Sequence, residues 1–241
     1  MTKIEHYQPH GQSLLDYLRG DTEAVIHVHS DGGQRTDVPV SIFFREPDHF
    51  PLELQAIELC RGRVLDIGAG SGCHTLALQA RGLEIVAIDF LPACVEVMRA
   101  RGVRAAQQGD IHTFASEPFD TLLSLMNGLA LVRDLRGLQP FLTHLRRLLK
   151  PNGQFLVDSC DLRKTGRPQS QATIAARRRA GRYFGESDLQ LEYKGRRGAP
   201  FTQLCVDANT LVKHARAAGW TCEIVVQEAT GRYLARLEPQ G

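Results

Sequence analysis

The stretch VLDIGAGSGCHTLAL, residues 64–78, decides the reading of this chain. A short apolar run over 64–67 leads into three alternating glycines, Gly68, Gly70 and Gly72, and a helical pattern follows over 75–80. Apolar strand, glycine turn and helix in that order open a βα unit. Its turn lets a ligand approach the backbone closely, because glycine has no Cβ and adopts positive φ without strain. A helix starting near Gly72 presents unpaired N–H groups to that ligand. The spacing is GxGxG, one residue short of the GxGxxG turn that cradles a dinucleotide pyrophosphate. Asp66, inside the strand end, is an odd neighbour for phosphate and a suitable one for a cation, so a ligand carrying an ammonium or sulfonium fits better.

Outward from the turn, strands are predicted over 64–67, 85–88, 103–106, 121–125 and 154–158, alternating with helices over 75–80, 93–101 and 138–149. Continuous apolar strands between helices predict an α/β domain, doubly wound around a mostly parallel seven-stranded sheet. Its last two strands form an antiparallel C-terminal pair, 220–228 and 232–237, after a helix over 208–218 that Gly219 stops. Upstream, a short helix over 13–18 precedes a β-hairpin of 24–29 and 38–44 turning at Asp31-Gly32-Gly33, and a helix over 52–60 feeds the first strand. Residues 163–185 hold seven Arg or Lys and no acid, and 189–193 and 201–206 flank Gly195 to Gly198 as a second hairpin. The division expected is an N-terminal appendage over 1–50, helix and β-hairpin, acting as a substrate lid. A main domain over 51–241 then carries a basic insertion at 161–206.

With 43% hydrophobic and 23% charged residues over 241 positions, the composition is that of an ordinary globular chain. A net charge of +2 is too mild to argue for a nucleic-acid partner. The six cysteines are scattered without metal-ligand spacing, which predicts free thiols and no metal site. MTKIEHYQPHGQ lacks the apolar core of a signal peptide and no apolar run is long enough to span a bilayer, so a soluble, cytoplasmic protein without membrane partners is expected. Oligomeric state is not legible.

VLDIGAGSG resembles motif I of the class I S-adenosylmethionine-dependent methyltransferases, which have a Rossmann-like fold. IVAIDF ends a second strand in Asp89 about 20 residues past the turn, where an acid accepts from ribose hydroxyls. QQGDIHTF, FDTLLSLMNGLAL and LLKPNGQFLVD are similar to the family's third strand end, fourth strand and fifth-strand unit, and together the likeness covers 62–161. It implies S-adenosyl-L-methionine as cofactor, held by Asp66, Ile67, Gly68, Ala69, Gly70, Gly72, His74, Asp89, Phe90, Gly109, Asp110, Ile111, Met126 and Asn127. Gly109-Asp110 also reads as a common turn dipeptide. Cys73 has no neighbouring base and reads as a packed thiol rather than a nucleophile.

Methyl transfer from a sulfonium needs alignment and exclusion of water more than acid–base chemistry. Asn127, ending the fourth strand, and His112, after the adenine-binding segment, are the candidate catalytic side chains, although Asn127-Gly128 also reads as a turn. Asn127 lacks the Pro-Pro-aromatic sequel of amino-group methyltransferases that act on adenine or glutamine. Phe44 and Arg45 are the candidate substrate-binding pair, with core packing as the alternative. The basic tract 163–182 reads as a solvated face, as an attractor of an acidic small molecule, or as a track for RNA phosphates. Methylation of a small-molecule acceptor is the function expected. The alternatives are RNA or protein methylation recruited through that tract, and a non-catalytic S-adenosylmethionine-binding module.

Overall fold

β3 (Arg63–Ile67) is buried from Val64 onward and pairs in parallel with β4 (Glu84–Asp89) on one side and β6 (Phe119–Ser124) on the other. The computed structural model describes residues 3–47, 50–165 and 171–240. β4 continues to β5 (Ala106–Gln108), and β6 to β7 (Leu149–Cys160), β12 (Arg232–Pro239) and β11 (Trp220–Gln227); β12 is antiparallel to both its neighbours, so it alone runs against the direction of the other strands. The chain runs outward from β3 to β5 and then returns to β6, so the direction of winding reverses at the β3/β6 boundary. A crevice opens beyond the strand C-termini at such a reversal. The expected doubly wound seven-stranded sheet with its antiparallel closing pair is the sheet observed.

Three helices, α2 (Pro51–Leu59), α3 (Cys73–Ala80) and α4 (Pro92–Ala100), precede or follow the first strands, and α5 (Leu135–Leu145) and α7 (Ala208–Ala217) precede the last ones. α5 and α7 begin at Asp134 and Asp207, whose carboxylates accept from Gly137 N–H at 3.0 Å and Thr210 N–H at 3.2 Å. Their apolar faces join Phe119, Phe155, Trp220 and Tyr233 in the largest core cluster. Both polar-tipped aromatics are satisfied there: Trp220 Nε1 donates to Leu142 O at 3.2 Å and Tyr233 OH to Val206 O at 2.7 Å.

The segments outside this frame form a second, antiparallel sheet in the order β10 (Phe201–Leu204), β8 (Glu186–Tyr193), β1 (Val25–Ser30), β2 (Gln34–Pro39), with β9 (Arg196–Arg197) returning onto β8. The N-terminal hairpin and the insertion after β7 are therefore one structure. α1 runs from Lys3 to Leu18, far longer than the 13–18 expected, and contains Pro9. Proline has no N–H to offer the carbonyl four residues back. Here Glu5 O accepts from Ala199 N–H at 3.1 Å instead, and His6 Nδ1 donates to Ala199 O at 3.1 Å. Helix and insertion are pinned together where the helix ladder is interrupted. On the opposite side a Cβ at Gly11 would lie 2.9 Å from Ala93 Cβ, so only glycine lets α1 sit this close to α4.

Smaller corrections have local causes. The strand expected over 38–44 is cut at Pro39, and Val40–Phe43 form a 3-10 turn. The third strand lies at 106–108 rather than 103–106, because Val103 packs against the glycine turn: a Cβ on Gly72 would reach its Cγ2 at 2.8 Å. The helix expected to run to Leu149 ends at Leu145 and continues as a 3-10 turn into β7. α6 (Gln171–Arg179) gives part of the basic tract a helical form, one of the forms a solvated charge run takes.

Candidate active site

The glycine turn joins β3 to α3 with Gly68, Gly70 and Gly72 at φ of 70°, 56° and 81°. A Cβ on Gly70 would meet no atom within 4 Å, so the backbone there borders open space. Asp89 is 6% exposed and braces the turn: its carboxylate accepts from Gly70 N–H at 3.0 Å and from Leu91 N–H at 2.9 Å. Burial raises its pKa against those backbone hydrogen bonds. Asp66 is buried beneath the turn, accepts from Thr75 Oγ1, and is likewise raised by burial.

Two adjoining cavities lie beyond these strand ends, of about 200 Å³ and about 370 Å³, and both are bordered by Tyr7, Gly68, Asp89, Phe90, Leu131 and Phe201. Gly109, Asp110, Ile111 and His112 line the smaller, while Asp66, Ala69, Gly70, Met126, Asn127 and His74 line the larger; Ile67 borders both. Gly72 lines neither but caps α3. His112 therefore stands at the Asp110 side, away from Asn127, with Nε2 donating to Leu131 O at 3.0 Å.

Asn127 is engaged on every side. Its amide donates to Leu204 O and approaches Cys205 Sγ, both at 3.3 Å, and its carbonyl accepts from Ser159 Oγ at 2.9 Å. Met126 and Asn127 sit consecutively in the left-handed region, φ 63° and 66°, a costly arrangement for non-glycine residues. Asp158 supports it from below, accepting from Gly128 N–H at 2.9 Å, with its pKa raised by burial.

Phe44 and Arg45 line neither cavity. Phe44 packs on Tyr17, centroids 4.4 Å apart, and Phe43 takes the place at the cavity wall. Arg45 meets a carboxylate belonging to this chain, Glu53, which is 1% exposed and also accepts from His74 Nε2 at 2.9 Å. Burial opposes the charge of each partner, yet Glu53 is held below its ordinary value by His74 and Arg45, and His74 well above its own by its contacts with Cys73 and Glu53 and by the field of Asp66. These residues form a buried charged support under the turn.

The basic tract is largely answered by acids of the chain itself, from the β1–β2 turn, β8 and the end of β7. Arg177, 4% exposed, pairs with Asp31 at 2.7 Å; Arg182 pairs with Asp188 at 2.6 Å, and Arg163 with Asp161 at 2.8 Å. Arg178 and Arg179 face solvent, and 166–170 of the tract lie outside the described residues. Among the described residues no group of His, Cys, Asp or Glu is placed to hold a metal, and no helix is long and apolar enough to cross a membrane.

The sequence points to residues 1–50 and 160–206 as the segments around the acceptor but does not single out the residues that form the opposite wall of the larger cavity, Tyr7 and His10 of α1, Val28, Leu189 and Leu191 of the second sheet, and Gln203. Tyr7 and His10 stand three apart on a helix, the spacing of one face, but Pro9 and Gly11 broke the pattern that would have shown it.

Comparison with known proteins agrees with this geometry. The Methyltransferase domain family matches residues 65–157. An S-adenosylmethionine-dependent methyltransferase from Bacteroides fragilis, solved in complex with S-adenosyl-L-homocysteine, is 34% identical, with a TM-score of 0.86 over all of this chain and 98% of that one. A ubiquinone biosynthesis O-methyltransferase of Xylella fastidiosa is 32% identical over 111 residues, and a demethylmenaquinone methyltransferase of Tropheryma whipplei 31% over 100. Those matches span 44% and 40% of the relatives' lengths, and 43% and 39% of this chain. The Bacteroides fragilis relative, 34% identical and matched over 98% of its length, places this chain, with its glycine turn and the buried acid at the end of β4, among the S-adenosylmethionine-dependent methyltransferases.

Proposed function

We propose that the protein transfers a methyl group from S-adenosylmethionine to a small-molecule acceptor bound between the two sheets. The observation that carries this is the pair of adjoining cavities. One is framed by Asp89, Asp110 and Ile111, suited to a nucleoside; the other extends from the glycine turn to an apolar wall supplied by α1 and the second sheet. Gly68 and Gly70 offer backbone at the junction. In this assignment Asp89 meets the ribose hydroxyls, Asp110 and the Ile111 N–H meet the adenine edge, and Met126 and Asn127 border the methionine part. A larger cavity of about 370 Å³ is within the range of small-molecule sites and is mostly apolar. The names of relatives, O-methylation in ubiquinone biosynthesis and methylation of demethylmenaquinone, favour an acceptor of this kind. α1, the N-terminal hairpin and the insertion act together as its cover.

The acceptor side supplies position rather than charge, since Arg45 is committed to Glu53 and Asn127 to Ser159 and Leu204. Methyl-labelled S-adenosylmethionine incubated with the protein and a panel of small phenols, amines and carboxylic acids tests the proposal. Label in a small product supports it; label appearing only on RNA or protein offered alongside would overturn it.

A further inference from the structure

Most histidines near the two cavities have a partner: His6 donates to Ala199 O, His74 to Glu53 and His112 to Leu131 O. His10 does not. Its ring lines the larger cavity and packs edge-on against Phe43, centroids 4.9 Å apart, and among the described residues none hydrogen-bonds a ring nitrogen; the Ser13 Oγ bond at 2.8 Å goes to the backbone carbonyl. Both ring nitrogens are left for whatever enters. Burial pushes the imidazole down to about 4, so at neutral pH it is uncharged and keeps one basic lone pair.

The position of that ring is fixed by the packing of α1 on both sides, Gly11 against Ala93 and Glu5 against Ala199. Tyr7, one turn earlier on the same face, also reaches the cavity, its hydroxyl without a hydrogen bond among the described residues, and burial followed by the field of Asp89 pushes it up to about 12. It stays protonated and is a donor, not a base. The other titratable groups facing the cavity are Asp66 and Asp89 from the strand ends and Cys73 and His74 from α3. Both aspartates and His74 are engaged with protein partners there. The second sheet contributes only uncharged side chains, among them Gln203.

We propose that His10 is a catalytic residue that takes the proton of a hydroxyl-bearing, otherwise apolar acceptor as its oxygen is methylated, an inference that rests on the function proposed above. The acceptor oxygen forms the new O–C bond while the sulfonium S–C bond breaks and its electron pair stays on sulfur. The hydroxyl proton passes to the free ring nitrogen of His10. The cavity thus holds one positive charge before the step, on sulfur, and one after it, on imidazolium. A poorly solvated site does not have to absorb a net change of charge. A neutral amine acceptor would attack without this help, which is how the two acceptor classes are told apart.

The test compares wild type with His10→Gln on phenol, on 4-nitrophenol at a pH where it is already ionised, and on aniline. Calorimetric binding of S-adenosylhomocysteine is measured for both. His10→Gln should lose about 10²–10⁴-fold in kcat on phenol, far less on 4-nitrophenolate, and nothing in homocysteine-product affinity. His10→Asn serves in the same comparison if the glutamine variant no longer binds that product. Equal losses on both phenols, no loss on phenol, or wild-type transfer to aniline alone would overturn the assignment of His10 while leaving small-molecule methylation standing. Transfer to none of the three probes by wild type would overturn both.

Discussion

Asp89 commits both carboxylate oxygens to backbone N–H groups, one in the glycine turn and one at the start of α4. Asp89→Ala therefore loosens the turn as well as removing a ribose acceptor. Each hydrogen bond to a charged group is worth about 1.5–3 kcal/mol, so S-adenosylhomocysteine should bind at least about tenfold more weakly by calorimetry; an unchanged affinity would refute the role. His74 carries a pH signature. Its folded pKa lies above the unfolded value, so its pairing with Glu53 stabilises the protein fully below the unfolded pKa of about 6.5 and is lost as pH rises through the folded value. The melting temperature of wild type should exceed that of His74→Gln most in mild acid, and the gap should narrow on the alkaline side. A gap that widens with pH would contradict the ion pair. The glycines and Asp89 were legible because turn, strand end and helix start are neighbours in sequence. The partners of Asn127 were not: Ser159, Leu204 and Cys205 reach it only through the sheet.

Among elements, α1 shows how a local rule is overridden. Pro9 and Gly11 argue against helix between them, yet each is matched to a neighbour, Pro9 by the Ala199 N–H that takes the released carbonyl and Gly11 by the Ala93 methyl that needs the space. Gly11→Leu should cost about 1–3 kcal/mol in urea unfolding from overpacking, and should raise the acceptor KM more than the cofactor Kd. The buried side of α6 was hidden for a different reason, since its run of arginines reads as a solvated tract until Asp31 is brought to it by the β1–β2 turn. Arg177→Ala leaves Asp31 without its partner and should cost about 3–5 kcal/mol. Arg178→Ala, one residue on and exposed, should stay within about 0.5 kcal/mol. Equal effects from the two would show that the Arg177–Asp31 pair does not anchor the helix.

Taken whole, the molecule is a nucleotide-binding sheet legible from strand and helix alternation, joined to a second sheet whose two contributing segments were legible but whose pairing was not. The alternation is local, whereas the second sheet combines strands from before β3 and after β7 in a single register, His27 opposite Glu192 and Val28 opposite Leu191. Ligand at about 100 times its Kd stabilises the native state by about 2.7 kcal/mol. For a chain of this size that is a rise in melting temperature of roughly 5–11 °C, expected with S-adenosylhomocysteine and measurable by scanning fluorimetry. No shift at saturation would contradict binding at the glycine turn.

The junction of Glu5 with Ala199 also sets an order of events during folding. β1 and β2 form as a local hairpin, but one edge of β1 has no strand to pair with until β8 has been synthesised, and the carbonyl released by Pro9 waits for the same late segment. Closing loops of that length is slow compared with forming the local βα units. In pulsed hydrogen exchange during refolding, β3 and β4 amides should therefore gain protection before the β1 amides that face β8. The chain would pass through a stage in which it holds the cofactor half of its site and not the acceptor half, with the free edge of β1 open to pairing with another chain.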